Sequence, residues 1–275
     1  MTDAPAHGLM DKIATHVEAL AGLLAKGESA ELLAFLRFTA SFTRYSANNQ
    51  MLIWLQAPEA RFVAGFHDWK RKGRHVKKGA KALKVIAPVI KQTEGEGGQI
   101  SRALVGFKVA GVFADYDTEG EPLPDDSFMV VREGGSRQLL DTLVRRCPVP
   151  VVWAGCGTAH GKTNGHTILL DPTRCAEHPG HAIRVLFHEW AHVFLHFENS
   201  KTISDRSRRE LEADAAAYVL CTLHGLAADA AVSQYVLGWG GNPEALRASL
   251  GAVVHAVGAI AGALTPEVAP RARAA

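Results

Sequence analysis

The chain has 275 residues at 29.5 kDa, enough for one large domain or two of ordinary size. It is 47% hydrophobic and 21% charged, a globular composition that excludes a mainly disordered or fibrous protein. The net charge of +2 conceals a segregation: Arg61 to Lys91 holds ten Lys/Arg and one acid, Asp68, while the rest carries 20 basic and 27 acidic residues. No basic-then-apolar leader opens the sequence, and four cysteines are too few for a disulfide framework, so a reduced, cytoplasmic protein is the expectation. The most apolar run, Leu250–Leu264, is broken by His255 and glycines and is shorter than the ~20 residues of a membrane span.

In chain order, residues 9–25 and 29–44 space their apolar residues three and four apart and predict two amphipathic helices, with Ser29 as N-cap of the second. A third helix follows Ser46 and stops before Pro58. FVAGFHDW (62–69), ALKVIAPVI (82–90) and LVGFKVAGVFADY (104–116) then read as strands, with a Gly-rich hairpin at 93–99. Residues 117–127, with two prolines, a glycine and five acids, form the best domain boundary. Beyond it the pattern predicts a helix at 136–146, strands at 149–153 and 165–171, and helices over 181–197, 205–224, 228–237 and 243–263. The expected class is α+β, with domains at 1–125 and 126–275.

The sharpest chemical signal is His188-Glu189-Trp190-Ala191-His192, an H-E-x-x-H motif within an apolar helical run. Two histidines four apart share a helix face and can bind one Zn²⁺ through imidazole nitrogens. Glu189 beside them can take a proton from a water at the metal, as a general base. Eighteen residues after His192, Glu210 opens Glu-Leu-Glu-Ala-Asp214 on the next helix and can complete a His₂Glu site. Glu212 is the competing ligand, but it points about 200° away around the helix. Glu210 is chosen because Asp214, one turn on, then shares its face and can orient a ligating histidine. His160, His166, His178 and His181, with Cys156 and Cys175, crowd the preceding segment without metal-ligand spacing. They read as loop histidines and buried thiols.

The basic segment has a pattern of its own. Tyr45 and Asn49 precede it, and Trp69 abuts the series Lys70, Arg71, Lys72, Arg74, Lys77, Lys78 and Lys81. Aromatic faces beside a positive groove suit single-stranded nucleic acid, each nucleotide offering a base to stack and a charge to neutralise. The competing reading is a solvated strand face, with the tryptophans as core.

The run YSANNQMLIWLQAPEARFVAGFHDWKRKGRHVKKGAKALKVIAP resembles the N-terminal domain of the ArdC family of antirestriction proteins. FKVAGVFADYDTEGEPLP is similar to the segment closing that domain, and FHEWAHVFLH with ELEAD resembles the family's zincin-like peptidase domain. Tyr235-x-x-x-Trp239 also fits. The resemblance implies a domain that binds single-stranded DNA without sequence preference and a metal-binding domain with His188, His192 and Glu210 as ligands and Glu189 as base. The implied function is a single-stranded-DNA-binding zinc metallopeptidase with an unknown protein substrate and no membrane partner. Its rivals are a non-enzymatic DNA-coating protein with a structural metal and a regulatory protease cleaving a repressor.

Overall fold

The computed structural model describes residues 4–94, 100–123, 137–197, 205–226, 238 and 240–264. The chain divides into two compact units, Met1–Asp126 with Val236–Gly251, and Ser127–Tyr235 with Ala252–Ala275. The architecture is α+β. The second unit is discontinuous, lacking Val236–Gly251, where the sequence pattern suggests one unbroken C-terminal domain.

In the first unit, helices α1 (Ala4–Ala25), α2 (Ala30–Thr39) and α3 (Ala47–Gln56) follow the predicted amphipathic runs. Gly27, at φ +83, ends α1 in a conformation that other residues resist. Ser29 stands at the start of α2 but its hydroxyl makes no capping bond; Ser46 does cap α3, accepting from the Asn49 amide at 3.4 Å.

Of the first predicted strand only β1 (Val63–Ala64) forms. Phe66–Arg71 turns instead into helix α4, entered through extended Gly65, with Asp68 in its first turn. The burial of Trp69 under this helix, its indole N–H donating to the Phe113 carbonyl at 3.0 Å, overrides the strand propensity of the aromatics. Strands β2 (Arg74–Val76), β3 (Leu83–Glu94), β4 (Ile100–Ala114) and β5 (Thr118–Gly120) complete this unit. β5 occupies part of the sequence read as a domain boundary. One sheet has the order β1-β4-β3, the other pairs β2 with β5, and every pairing is antiparallel.

The core packs Phe38, Phe42 and Ile53 from the helices and adjacent turn against Leu83, Val85 and Val112 of the sheet. The outer edge of β3 is closed by side chains. The Asn49 amide donates to the Ile86 carbonyl and accepts from its N–H, both at 2.8 Å, and Gln56 does the same for Lys84 at 3.0 and 2.8 Å.

The second unit begins, among the described residues, with α5 (Arg137–Arg146) and a sheet of β6 (Val151–Trp153), β7 (Gly161–Thr163) and β8 (Ile168–Leu170). The order is β6-β8-β7, with β6 parallel and β7 antiparallel to β8, so β7 is an edge. Helices α6 (Pro172–Cys175), α7 (Pro179–His192) and α8 (Arg206–Leu223) follow, and α9 (Pro243–Leu264), counted with the first unit through Gly251 and with the second from Ala252, closes the described chain. Among the described helices α9 alone is long and apolar enough to cross a membrane by length and mean hydropathy. Its Leu246, Leu250, Val253, Val257 and Ile260 are nevertheless buried inside the protein. The predicted helix 228–237 and Tyr235-x-x-x-Trp239 lie outside the described residues.

Candidate metal centre

Helix α7 starts on Pro179, whose missing N–H is harmless in a first turn. It buries Ile183, Leu186, Phe187 and Trp190, leaving His188 and His192 together on a partly open face. The next five residues, Val193–Phe197, form a π-helical turn. Helix α8 is capped by Asp205, which accepts from Ser207 and Arg208 N–H groups. Its inner face is Ala213, Ala216 and Ala217, all buried; such small side chains let two helices approach closely.

Glu210 and Asp214 thereby both reach α7. The Nε2 atoms of His188 and His192 lie 3.0 Å apart, and Glu210 Oε2 is 3.4 Å from the first and 3.6 Å from the second. Ligand atoms of these three residues lie within 4.8 Å of one another, the only such trio among the described residues. Asp214 Oδ1 is 2.9 Å from His188 Nδ1, which leaves Nε2 to face the centre. Glu212 points elsewhere: it is fully buried and accepts from Arg208 Nε at 2.9 Å. Two imidazoles and one carboxylate converging in this way suit a divalent metal with an open fourth position.

The electrostatics follow the geometry. Burial opposes charge on His188, yet its bonds to Asp214 and Glu210 win and raise its pKa to about 9. Hydrogen bonds from His188 and then His192 hold Glu210 well below the usual carboxylate range. Burial raises Glu189 despite the two neighbouring histidines, the direction a proton-accepting carboxylate near neutrality requires. His196 is not in the trio: its Nε2 is 3.3 Å from the Arg209 carbonyl, and burial lowers its pKa to about 4.

Strand β7 passes close over α7. A Cβ on Gly161 would meet Val185 Cγ1 at 2.6 Å and Glu189 Cγ at 3.2 Å, so this position accepts only glycine. The resulting cleft, about 680 Å³, is lined by the metal trio, Glu189, Asp214, β7 and residues of α7 and α8. His160 and His181 line it too, ring nitrogens 2.7 Å apart. Cys156 and Cys175 are buried free thiols whose backbone N–H groups are held by Asp171. Arg184 and Arg206, each four residues before a site residue, also line the cleft. Helical spacing from His188 and Glu210 is the signal that places them there.

The residues selected for nucleic acid in the first unit divide. Trp69 is 1% exposed and belongs to the core, which corrects its reading as an exposed stacking face. Arg74 lies 6.0 Å over the Trp69 ring and donates to Thr118 and Glu121, so its guanidinium is spent internally. Tyr45 donates to the Val63 carbonyl, Asn49 closes the β3 edge, Lys77 donates to the Tyr116 carbonyl and Arg71 pairs with Asp68. Lys70, Lys72, Lys78 and Lys81 are exposed. Phe66, one of the aromatics interleaved with the basic series, is about half exposed, and so is Tyr116, which sequence reasoning passed over.

Residues 5–118 match the family model for the N-terminal domain of the anti-restriction factor ArdC. An uncharacterized pXO2 protein of Bacillus anthracis is 23% identical over 281 residues, covering 86% of this chain. The chain spans about half, 46%, of that relative's length. The fold is similar to the crystal structure of the antirestriction ArdC protein from plasmid R388 in metal-free form, with TM-score 0.51 and 20% identity. That match covers 80% of this chain and 85% of that one. The Mn(II)-bound structure of the R388 protein covers the same shares at 0.48.

Proposed function

From the match of residues 5–118 to the ArdC N-terminal domain model, we propose that this chain is an antirestriction-type, single-stranded-DNA-binding zinc metallopeptidase. The first unit holds DNA and the second hydrolyses a protein. The observation carrying the catalytic half is the convergence of His188, His192 and Glu210 within 4.8 Å beside buried Glu189. The three ligands would hold zinc, and the ion when bound supplies a Lewis acid for the peptide carbonyl.

Glu189 takes the proton of the attacking water and returns it to the leaving nitrogen. Asp214 fixes the tautomer and orientation of His188 through the 2.9 Å contact at Nδ1. The edge of β7, unpaired among the described strands, offers backbone groups to an extended substrate. A merely structural metal would leave Glu189 without a task, which favours catalysis over passive coating of DNA.

The test combines elemental analysis with hydrolysis of a mixed peptide library. Purified protein and Glu189→Gln should each hold about one zinc per chain, with cleavage confined to the wild type; His188→Ala and His192→Ala should lose the metal. Full metal content in both histidine variants, or undiminished cleavage by Glu189→Gln, overturns the reading.

A further inference from the structure

The charges lining the metal cleft are unevenly assigned. Its acids are Glu189, Glu210 and Asp214, each already engaged in the site. Its other charged residues are all cations: Lys162 on β7, Arg184 on α7, and Arg206 and Arg209 on α8. They stand on three elements far apart in sequence, so folding has gathered them. The nearby acid Glu212 is buried, accepts from Arg208 Nε and does not line the cleft.

Four cations thus face three carboxylates, before a divalent ion contributes two further positive charges. Arg184 lies 3.7 Å from Asp214 and is partly neutralised. Lys162 and Arg206 are exposed at the rim. Arg209 Nε is buried and has no hydrogen-bond partner among the described residues. Burial and the neighbouring His160 and Arg184 lower the pKa of His181, which also lines the cleft.

A cleft walled by a strand edge that pairs with no other described strand accepts an extended peptide, whose backbone can continue the ladder. A nucleic-acid strand has no such backbone groups. We propose that the cleft selects acidic peptide segments, in which Asp or Glu side chains flanking the cleaved bond are received by Lys162 and Arg206 at the rim and Arg209 further in. This rests on the peptidase reading of the same cleft and adds the class of substrate.

The full chain carrying Glu189→Gln serves for the test, since it binds without turnover. Short labelled peptides sharing one neutral centre and flanked by Glu, Gln or Lys are compared by fluorescence anisotropy. The Glu peptide should bind at least about tenfold tighter than the Gln peptide and the Lys peptide weakest. The difference should shrink as salt rises from about 0.05 to about 0.5 M. It should collapse in Lys162→Glu/Arg206→Glu, and in the milder Lys162→Gln/Arg206→Gln, and persist in Lys78→Ala/Lys81→Ala, which removes cations from the first unit.

Equal binding of the three peptides overturns the proposal, as does a preference that follows Lys78 and Lys81 instead of the cleft. So does displacement of the Glu peptide from the Lys78→Ala/Lys81→Ala protein by oligothymidylate, which would make nucleic acid the occupant. Zinc-loaded wild type that cleaves no library member while the binding preference holds sinks the peptidase reading alone. Cleavage of neutral and acidic peptides at equal rates sinks the selectivity alone.

Discussion

Asp214 sits where two demands on one carboxylate meet. It is 2.9 Å from His188 Nδ1, fixing which ring nitrogen faces the trio, and 3.7 Å from the Arg184 guanidinium. Removing it leaves the His188 imidazole with freedom to rotate and to hold its proton on the wrong nitrogen. Asp214→Ala should therefore weaken zinc binding about 10- to 100-fold in chelator competition, while Asp214→Asn, which keeps an acceptor oxygen, should lose less. An affinity unchanged by alanine would show that His188 needs no orientation from this residue. At this scale the sequence is informative for a local reason. Two histidines at i, i+4 and two acids at i, i+4 each lie on one helix face whatever the rest of the chain does. Trp69 was not legible in the same way. Whether an aromatic beside a basic run stacks on a ligand or fills a core depends on the Phe113 carbonyl, 44 residues away in sequence.

Elements show the same division between local and distant causes. The long helices were readable because apolar spacing marks the face they bury, as in Ile183, Leu186, Phe187 and Trp190 of α7. FVAGFHDW was not, since a six-residue helix carries less than two turns of periodic signal. The π-helical turn at Val193–Phe197 left no mark in the sequence either. The end of α8 carries a pH dependence. His224 stacks on Phe187 with ring centroids 5.5 Å apart, and neither ring nitrogen has a hydrogen-bond partner among the described residues. Burial lowers its pKa below 6.5, so in the window under 6.5 the unfolded chain binds more protons than the folded one. Stability from this group is complete above about pH 6.5 and declines as pH falls toward the lowered value. Thermal unfolding at a series of pH values should show His224→Leu losing less stability than wild type between about pH 7 and 5. Parallel curves for the two proteins would remove His224 as the cause.

At the scale of the whole molecule, charge segregation gives the first unit its own chemistry. The basic stretch running from the end of α4 loses several cations to internal partners: Arg74 to β5, Lys77 to the Tyr116 carbonyl, Arg71 to Asp68. Lys70, Lys72, Lys78 and Lys81 remain at the surface, and Tyr116, whose carbonyl accepts from Lys77, is an exposed aromatic. If these lysines track phosphates, affinity for an oligothymidylate should fall with salt at ~0.7 log unit per contact for each log unit of salt. Lys78→Ala/Lys81→Ala should weaken all sequences alike and flatten that slope, because phosphate contacts carry no base information. Tyr116→Ala should cost ~1–3 kcal/mol of binding with the slope unchanged, since stacking releases no counterions. Trp69→Ala should act differently, removing a buried anchor and costing ~3–5 kcal/mol of folding stability in denaturant titration. Duplex of the same length should bind more weakly, its bases being already stacked. Equal affinity for duplex and single strand, or a slope unmoved by the lysine pair, would reduce the basic turn to a solvated surface and leave single-strand binding without a site in this unit.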